Sequence, residues 1–275
     1  MEAACDFCNR RQWKLTLLTP YVTDWGLEKI DPLLQALDTM APHGTEVVVN
    51  DWGVLRQVAN RSNADLLVVL GRGLNRMFRD PRVPDVGPEH LGGDAPPSAW
   101  RSASHQSQGF RTMLRSAGIQ RIETDMPMQG MQDLDPDEQD LKLSVHLPYG
   151  MVASGRICMM SALGQSASVR FTPPRACTAP CHDYTLELRA PWTRRAVGAG
   201  RLPLVAEDSF LPLDHVLNRR RNAFPAHEND DAPRFIQKGN THFYCLDEEK
   251  VDSALDWVHR NPTADRIVVA PDVPM

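Results

Sequence analysis

Short apolar stretches alternate with amphipathic stretches through the first half of the chain. Four stretches have the length and the β-branched or aliphatic content of buried strands. They are residues 13–19 (WKLTLLT), 45–50 (TEVVVN), 65–70 (DLLVVL) and 120–124 (QRIET). Residues 27–37 place four leucines and one isoleucine on one helical face. Alternating strands and helices are typical of repeated βα units around a parallel sheet.

Three further strand-like stretches occur in the second half of the chain. They are residues 141–147, 241–246 and 266–270, and residues 248–260 between the last two have a helical pattern. Seven strands approach the eight of a closed α/β barrel. The pattern therefore predicts an α/β fold of the TIM-barrel-like (β/α)8 type.

The length of the chain favours one large domain. At 275 residues it slightly exceeds the roughly 200–250 residues that α/β barrels need as a single unit. We predict an N-terminal arm over residues 1–12 and a single TIM-barrel-like domain over 13–275. Residues from about 155 to 234 lose the alternation and become rich in Cys, Pro and Arg, with only 214–221 helical in pattern. This irregular, loop-rich insertion is expected to lie over the barrel mouth.

Composition and charge exclude several classes of protein. Apolar residues make up 42% of the chain and charged residues 24%, which are ordinary values for a globular protein. The formal net charge of −5 gives no basic excess, so the charge does not support nucleic-acid binding. No apolar run approaches the roughly 20 residues of a membrane span, and the N-terminus lacks a hydrophobic signal core. We therefore expect a cytoplasmic protein.

The six cysteines carry the clearest chemical signal. In a chain without a secretion signal they are expected to stay reduced, so their clustering favours metal binding over disulfides. Eighteen residues separate Cys158 from Cys177, and three separate Cys177 from Cys181. Thiolates are ligands of both iron–sulfur clusters and zinc, and Pro180 stiffens the turn between the close pair. The three cysteines therefore predict a metal site.

A site with four thiolates needs one more cysteine. Functional groups of α/β barrels lie at the carboxyl ends of the strands, and Cys245 lies near the end of a predicted strand. Cys5 and Cys8 precede the first strand, which places them at the opposite face unless the N-terminal arm folds across the mouth. Cys245 is therefore the predicted fourth ligand, and Cys8 or Cys5 is the alternative. A single CxxC pair is weak support for a metal site by itself.

Polar side chains stand at the ends of the predicted strands. Asn50 and Asp51 end the second strand, Arg72 ends the third, and Glu123 and Asp125 end the fourth. Such positions commonly supply the catalytic groups of α/β barrels. The alternative is that the Asn-Asp pair caps the following helix and that Arg72 pairs with a structural carboxylate. His146, His182 and His242 lie closest in sequence to the cysteines, and His182 is the best placed to replace a thiolate.

Several segments resemble the peptidase U32 family, and together they extend from about residue 13 to residue 272. The segments are VVVNDWGVLR (47–56), VLGRGLNRMFRDPR (69–82), RIETDMPMQG (121–130), LPYG (147–150) and GNTHFY (239–244). Members of that family include collagenase-like peptidases and oxygen-independent hydroxylation proteins that carry a 4Fe-4S cluster on four cysteines. Among the latter are the ubiquinone-biosynthesis pair and enzymes that hydroxylate RNA bases.

The resemblance implies a 4Fe-4S cluster rather than zinc. It matches Cys158, Cys177 and Cys181 to the central cysteine block of the family and Cys245 to a late cysteine found in some members. Other members supply a ligand near the end of the second strand, where this chain has Asn50 and Asp51. A second U32-type subunit is an expected protein partner.

The leading functional hypothesis is an oxygen-independent hydroxylase, or one subunit of it, acting on a small organic or nucleobase substrate. Asn50, Asp51, Arg72 and Glu123 would position the oxygen donor and the substrate. The alternatives are a U32-type peptidase and a non-catalytic binding subunit in which a cluster or zinc only stabilises the loop from Cys158 to Cys181. The chain contains no HExxH motif, nucleophile elbow or phosphate-binding loop.

Overall fold

A computed structural model describes most of the chain. The described residues are 1–61, 66–79, 102–128, 141–155, 158, 160–161, 177, 179–188, 234–270 and 272–274. The predicted helix at 214–221 and most of the insertion predicted over 155–234 lie outside them. The chain divides into two compact units. Unit 1 comprises Met1–Phe78, Val83–Leu147 and Asp252–Val268, and unit 2 comprises Arg79–Arg82, Pro148–Val251 and Val269–Met275.

The described helices and strands alternate as the sequence predicts through the first half of the chain. In chain order they are α1 (Glu2–Arg11), β1 (Thr16–Leu18), α2 (Asp24–Met40), β2 (Glu46–Val49), α3 (Trp52–Ala59), β3 (Leu67–Leu70), α4 (Gln108–Ser116), β4 (Arg121–Asp125), β5 (Lys142–Leu147), β6 (Tyr149–Ser154), β7 (Leu186–Leu188), β8 (Arg234–Lys238), β9 (Thr241–Cys245), α5 (Glu248–Arg260) and β10 (Arg266–Val269).

The six-stranded sheet of unit 1 has the strand order β1-β2-β3-β4-β5-β10. Strands β1 to β5 pair in parallel, with Val47 opposite Val68 and Ile122 opposite Leu143. All four residues of β2 are buried, as expected for a parallel strand covered on both faces. The six strand predictions that fall on this sheet are confirmed, as are the helices predicted at 27–37 and 248–260. Residues 1–12, predicted as an arm, contain helix α1.

An ion pair between non-adjacent strands shows how strongly this sheet curls. Arg266 at the start of β10 donates from Nη1 and Nη2 to the two carboxylate oxygens of Glu46 on β2, at 2.6 and 2.7 Å. Three strands separate β2 from β10, so a flat sheet would hold them roughly 19 Å apart at about 4.8 Å per step. Only a curled sheet brings the two side chains together.

The curled sheet forms half of a barrel, and the predicted closed eight-stranded barrel is not shown. The described strands of the sheet number six, and β1 and β10 stand at its edges. Leu18 on β1 is 55% exposed and Val269 on β10 is 68% exposed, as expected at open edges. None of the helices within the described residues is long and apolar enough to cross a bilayer.

Unit 2 contains an antiparallel sheet with the strand order β6-β9-β8-β7. The prediction that residues 241–246 form a barrel strand is therefore wrong, because β9 pairs antiparallel with both β6 and β8. The β8–β9 hairpin turns at Gly239, whose φ of +60° is costly for other residues. Gly150 allows close packing in the same sheet, because a Cβ there would lie 1.9 Å from Cζ of Tyr244. Strand β6 was not predicted.

We expect Glu46→Gln to lower the free energy of unfolding of unit 1 by about 1–3 kcal/mol at neutral pH, because it removes a charge-assisted pair. Burial raises the pKa of Glu46, but the hydrogen bond and charge of Arg266, with the charge of Arg121, hold it below its ordinary value. The stabilisation is therefore present above the ordinary glutamate pKa of about 4.3 and is lost as the pH falls through the lower native pKa.

Urea denaturation at neutral and acidic pH measures this effect. The difference between wild type and Glu46→Gln should shrink on acidification, and Asp265→Asn serves as the matched control because Asp265 binds Arg121 at a more exposed position. An equal loss in the two variants would contradict a special role for Glu46.

Candidate functional site

Asn50 joins the carboxyl ends of three neighbouring strands in unit 1. Its Nδ2 donates to the carbonyl oxygen of Thr19 at 3.0 Å, and its Oδ1 accepts from the backbone N–H of Gly73 at 3.0 Å. The space for this amide exists because residue 71 is glycine, where a Cβ would lie 2.2 Å from Asn50 Oδ1. Asn50 thus uses both ends of its amide to hold the backbone of the mouth.

Asp51 caps helix α3. Its carboxylate accepts a hydrogen bond from the backbone N–H of Gly53 at 2.7 Å, and the helix begins at the next residue. This is the capping arrangement that the sequence left open as the alternative to a catalytic role. The carboxylate is therefore used to begin a helix.

Arg72 and Asp125 form a buried ion pair at the carboxyl ends of β3 and β4. Nη1 of Arg72 lies 2.8 Å from Oδ1 of Asp125, and both side chains are almost completely buried. A buried pair of this kind strongly disfavours the loss of either partner, because the remaining charge would be uncompensated. Arg72 is therefore committed to a structural carboxylate, which the sequence also allowed.

Glu123 lies beside His146, a histidine that sequence reasoning considered only as a possible metal ligand. Strands β4 and β5 pair with Glu123 opposite Ser144 and Asp125 opposite His146, which places all four side chains on one face of the sheet. Oε2 of Glu123 and Nε2 of His146 are 3.2 Å apart. The sequence predicted a strand over 141–147, but only the strand register identifies the neighbour of His146.

Asn75 and His105 support the backbone of Glu123. Asn75 donates from Nδ2 to the Glu123 carbonyl oxygen at 3.2 Å, and its Oδ1 lies 3.1 Å from Nδ1 of His105. An amide oxygen only accepts, so Nδ1 of His105 carries the proton. Burial, with a smaller effect of the Arg111 charge, lowers the pKa of His105 to about 4. His105 is therefore neutral at physiological pH.

Cys158 and Cys181 contact the same two buried side chains in unit 2, and Cys177 influences Cys181 electrostatically. Cys158 and Cys181 pack against Met160 and Leu186, and Cys181 belongs to a short turn that begins at Pro180. Ala179 just before this turn has a φ of +53°, a costly conformation for a residue with a Cβ. In that conformation its N–H donates to Sγ of Cys177 at 3.3 Å. The backbone N–H of Ala179 and the thiol of Cys177 thus form a direct hydrogen bond.

The thiols of this group interact electrostatically. Burial raises the pKa of Cys181, and the neighbouring Cys158 and Cys177 raise it further, while Lys238 lowers it. If Cys158, Cys177 and Cys181 were thiolates, they would repel one another, so a bound cation or protons must balance their charge. We call Cys158, Cys177 and Cys181 the thiol group.

Cys245 lies away from the thiol group. Cys181 lies by Gly239 at the turn of the β8–β9 hairpin, where a Cβ on the glycine would be 3.8 Å from Cys181 Sγ. Cys245 is opposite Arg234 at the other end of that hairpin. It lies four positions after Thr241 at the turn, which corresponds to about 13 Å along the strand. This arrangement does not bring the predicted fourth ligand to the other three cysteines.

The alternative ligands Cys5 and Cys8 belong to unit 1. Both are buried residues of α1, three positions apart on one helical face. Burial is the main cause of the raised pKa of Cys5, with the N-terminal amine opposing it. A buried thiol with a raised pKa behaves as a small apolar side chain, so this CxxC pair contributes to packing.

The histidines considered as alternative ligands occupy different positions. His182 directly follows Cys181 on the same turn and is exposed. His242 stacks on Phe235 with ring centroids 5.5 Å apart, and burial lowers its pKa. His182 is therefore the histidine nearest in the chain to the thiol group.

The thiol group is not converged on a single point. Within the part of the chain that the structure describes, no three His, Cys, Asp or Glu side chains are arranged as a ligand set for a metal ion. The donor chemistry nevertheless fits a soft metal centre, because it combines three thiols with an N–H···S hydrogen bond. Cys158, Cys177 and Cys181 are the residues that could hold one.

No protein family profile, curated protein or solved structure matches this chain. The resemblance to the U32 family therefore depends on the sequence segments alone and stays a prediction.

We expect the stability of unit 1 to fall by about 2 kcal/mol between pH 7 and pH 5 through His105 alone. Its native pKa lies below the unfolded value of about 6.5, so the unfolded chain binds more protons in this range and acid favours unfolding. His105→Gln keeps a hydrogen-bond donor for Asn75 but does not titrate.

Urea denaturation at the two pH values compares wild type, His105→Gln and the control His259→Gln, which removes a histidine from the last turn of α5. The His105 variant alone should lose this acid sensitivity. Identical pH dependence in all three proteins would show that His105 titrates normally.

Proposed function

We propose that this chain is an iron–sulfur protein whose cluster is held by Cys158, Cys177 and Cys181. The observation that carries the proposal is the thiol group itself, in which Cys158 and Cys181 pack against the same two side chains. Burial, with a further effect of Cys158 and Cys177, raises the pKa of Cys181. A cationic iron centre would remove this repulsion by taking all three as thiolates. The group must move closer together to do so, and metal binding can supply the free energy for such ordering.

A cluster accounts for the surroundings of the thiol group better than structural zinc does. Met160 and Leu186 give Cys158 and Cys181 apolar neighbours, while the exposed Cys177 accepts a hydrogen bond from the Ala179 N–H. Apolar surroundings and N–H···S hydrogen bonds are features by which proteins set cluster potentials. The U32-like segments support the same choice, with a 4Fe-4S cluster as the expected type. Zinc is the alternative that the experiment below must distinguish.

The reaction we propose is oxygen-independent hydroxylation of a small organic or nucleobase substrate, with this chain as the enzyme or one of its subunits. When bound, the cluster would supply electron transfer or a Lewis-acidic iron. The U32-like segments support this reaction class, and they also support a complete (β/α)8 barrel and a second subunit of the same type. Peptidase activity has less support, because within the described residues no hydrogen bond joins a cysteine of the thiol group to a histidine, as a nucleophilic cysteine requires.

We expect Cys158→Ser, Cys177→Ser and Cys181→Ser each to lose most of the iron and acid-labile sulfide that the wild type retains after anaerobic purification. Wild type should hold about four irons per chain for a 4Fe-4S cluster. Cys245→Ser and Cys8→Ser are the matched controls and should keep the wild-type content, because Cys245 lies at the end of β9 away from the Gly239 turn and Cys8 is buried in α1. His182→Ala tests whether a histidine completes the ligand set.

Metal analysis and absorbance spectra of the same preparations distinguish the alternatives. Stoichiometric zinc without iron would replace the cluster by a structural metal and remove the basis for hydroxylation. Loss of the cluster in Cys245→Ser would restore the prediction made from sequence and contradict the ligand set proposed here.

A further inference from the structure

We propose that Glu123, in the middle of β4, and His146, near the carboxyl end of β5, form a proton-transfer pair that acts on a bound ligand bearing an ionisable O–H or N–H. The pair belongs to unit 1 and does not depend on the thiol group or on its metal. It would therefore stand even if the iron–sulfur proposal failed.

The two side chains are close together, but their nearest atoms do not form a hydrogen bond. Oε2 of Glu123 and Nε2 of His146 are 3.2 Å apart, and their side chains are only 9% and 11% exposed. Both atoms are buried, yet neither has a hydrogen-bond partner within the described part of the chain. Buried polar groups in native proteins are nearly always hydrogen-bonded, and exceptions commonly mark a functional site or a place for a ligand. A purely structural pair would align the donor with the acceptor.

The neighbouring arginines form their hydrogen bonds with other carboxylates and not with Glu123. Arg72 is committed to Asp125 at 2.8 Å. Arg266 makes its hydrogen bonds to Glu46, and its charge reaches Glu123 only as the weakest of the effects that raise the Arg266 pKa. His146 is therefore the closest group to which Glu123 can couple a proton.

The orientation of the imidazole assigns the two roles. A neutral imidazole carries a proton on one nitrogen and a lone pair on the other. Nε2 is the ring nitrogen near the Glu123 carboxylate, so a proton on Nε2 leaves the lone pair on Nδ1. Nδ1 has no described hydrogen bond and is not one of the fully buried atoms, so it is the ring nitrogen that a ligand can reach. His146 is thus the group that would touch the ligand, and Glu123 is a positioning residue that orients the ring.

The proton step follows from this arrangement. The ligand's O–H or N–H bond breaks, the electron pair stays on the ligand atom, and the proton forms a new bond to Nδ1 of His146. The Glu123 carboxylate then stabilises the imidazolium through Nε2–H. The class of ligand follows as well, since it must be a small weak acid that presents its donor to the interior of the half-barrel.

Nitrogen NMR of the histidine rings tests the proposal with para-nitrophenol as the probe, because this weak acid also reports its own ionisation by absorbance. In wild type, saturating probe should shift Nδ1 of His146 toward the protonated value. Glu123→Gln keeps an acceptor but removes the charge, and it should weaken this response about tenfold. The ring of His182, an exposed histidine, is the internal control. No response at His146, or an equal response at His182, would overturn the proposal.

Thermal unfolding provides a second measurement that does not need the probe. Replacing both groups by apolar ones, Glu123→Leu with His146→Phe, removes two unsatisfied buried polar groups and should raise the melting temperature by about 2–6 °C. Glu46→Gln, which breaks a satisfied pair in the same unit, should lower it. A fall in melting temperature for the double variant would show that the pair is structural and would overturn the proposal.

Discussion

The ion pair between Arg266 and Glu46 spans the curled sheet and constrains the side chains at the carboxyl ends of its strands. By connecting β10 to β2 across three intervening strands, it holds the amino ends of the strands on an arc. Parallel strands on an arc direct alternate side chains toward a common interior. The Arg72–Asp125 and Glu123–His146 pairs lie on the side of the sheet that faces this interior. The polar mouth therefore depends on the Arg266–Glu46 ion pair at the opposite end of the same strands.

Unit 2 depends on a different constraint, the positions at which its backbone can turn and approach. Gly239 closes the β8–β9 hairpin, and the turn that begins at Pro180 places Cys181 beside it. Ala179, with its positive φ, donates its N–H to Sγ of Cys177. Strain of this kind persists where surrounding structure or function requires it.

The sequence predicted the parallel strands well because apolar runs of fixed length report burial on both faces. It could not predict that residues 241–246 pair antiparallel, because alternation has the same period in either direction and only the Gly239 hairpin decides. The same limit applies to Cys245, whose assignment as the fourth ligand assumes a closed barrel and stays a prediction. His146 was overlooked as the neighbour of Glu123 because their proximity depends on the register between β4 and β5. Asp51 was ambiguous because the same carboxylate suits a cap or a catalytic role.

X-ray absorption at the iron and zinc edges of anaerobically purified protein measures whether the thiol group binds the proposed iron–sulfur cluster. We expect iron with sulfur as its first neighbours and a second shell of iron–iron scattering, which only a cluster produces. A zinc edge with four ordinary zinc–sulfur or zinc–nitrogen neighbours, or protein without either metal, would contradict the account.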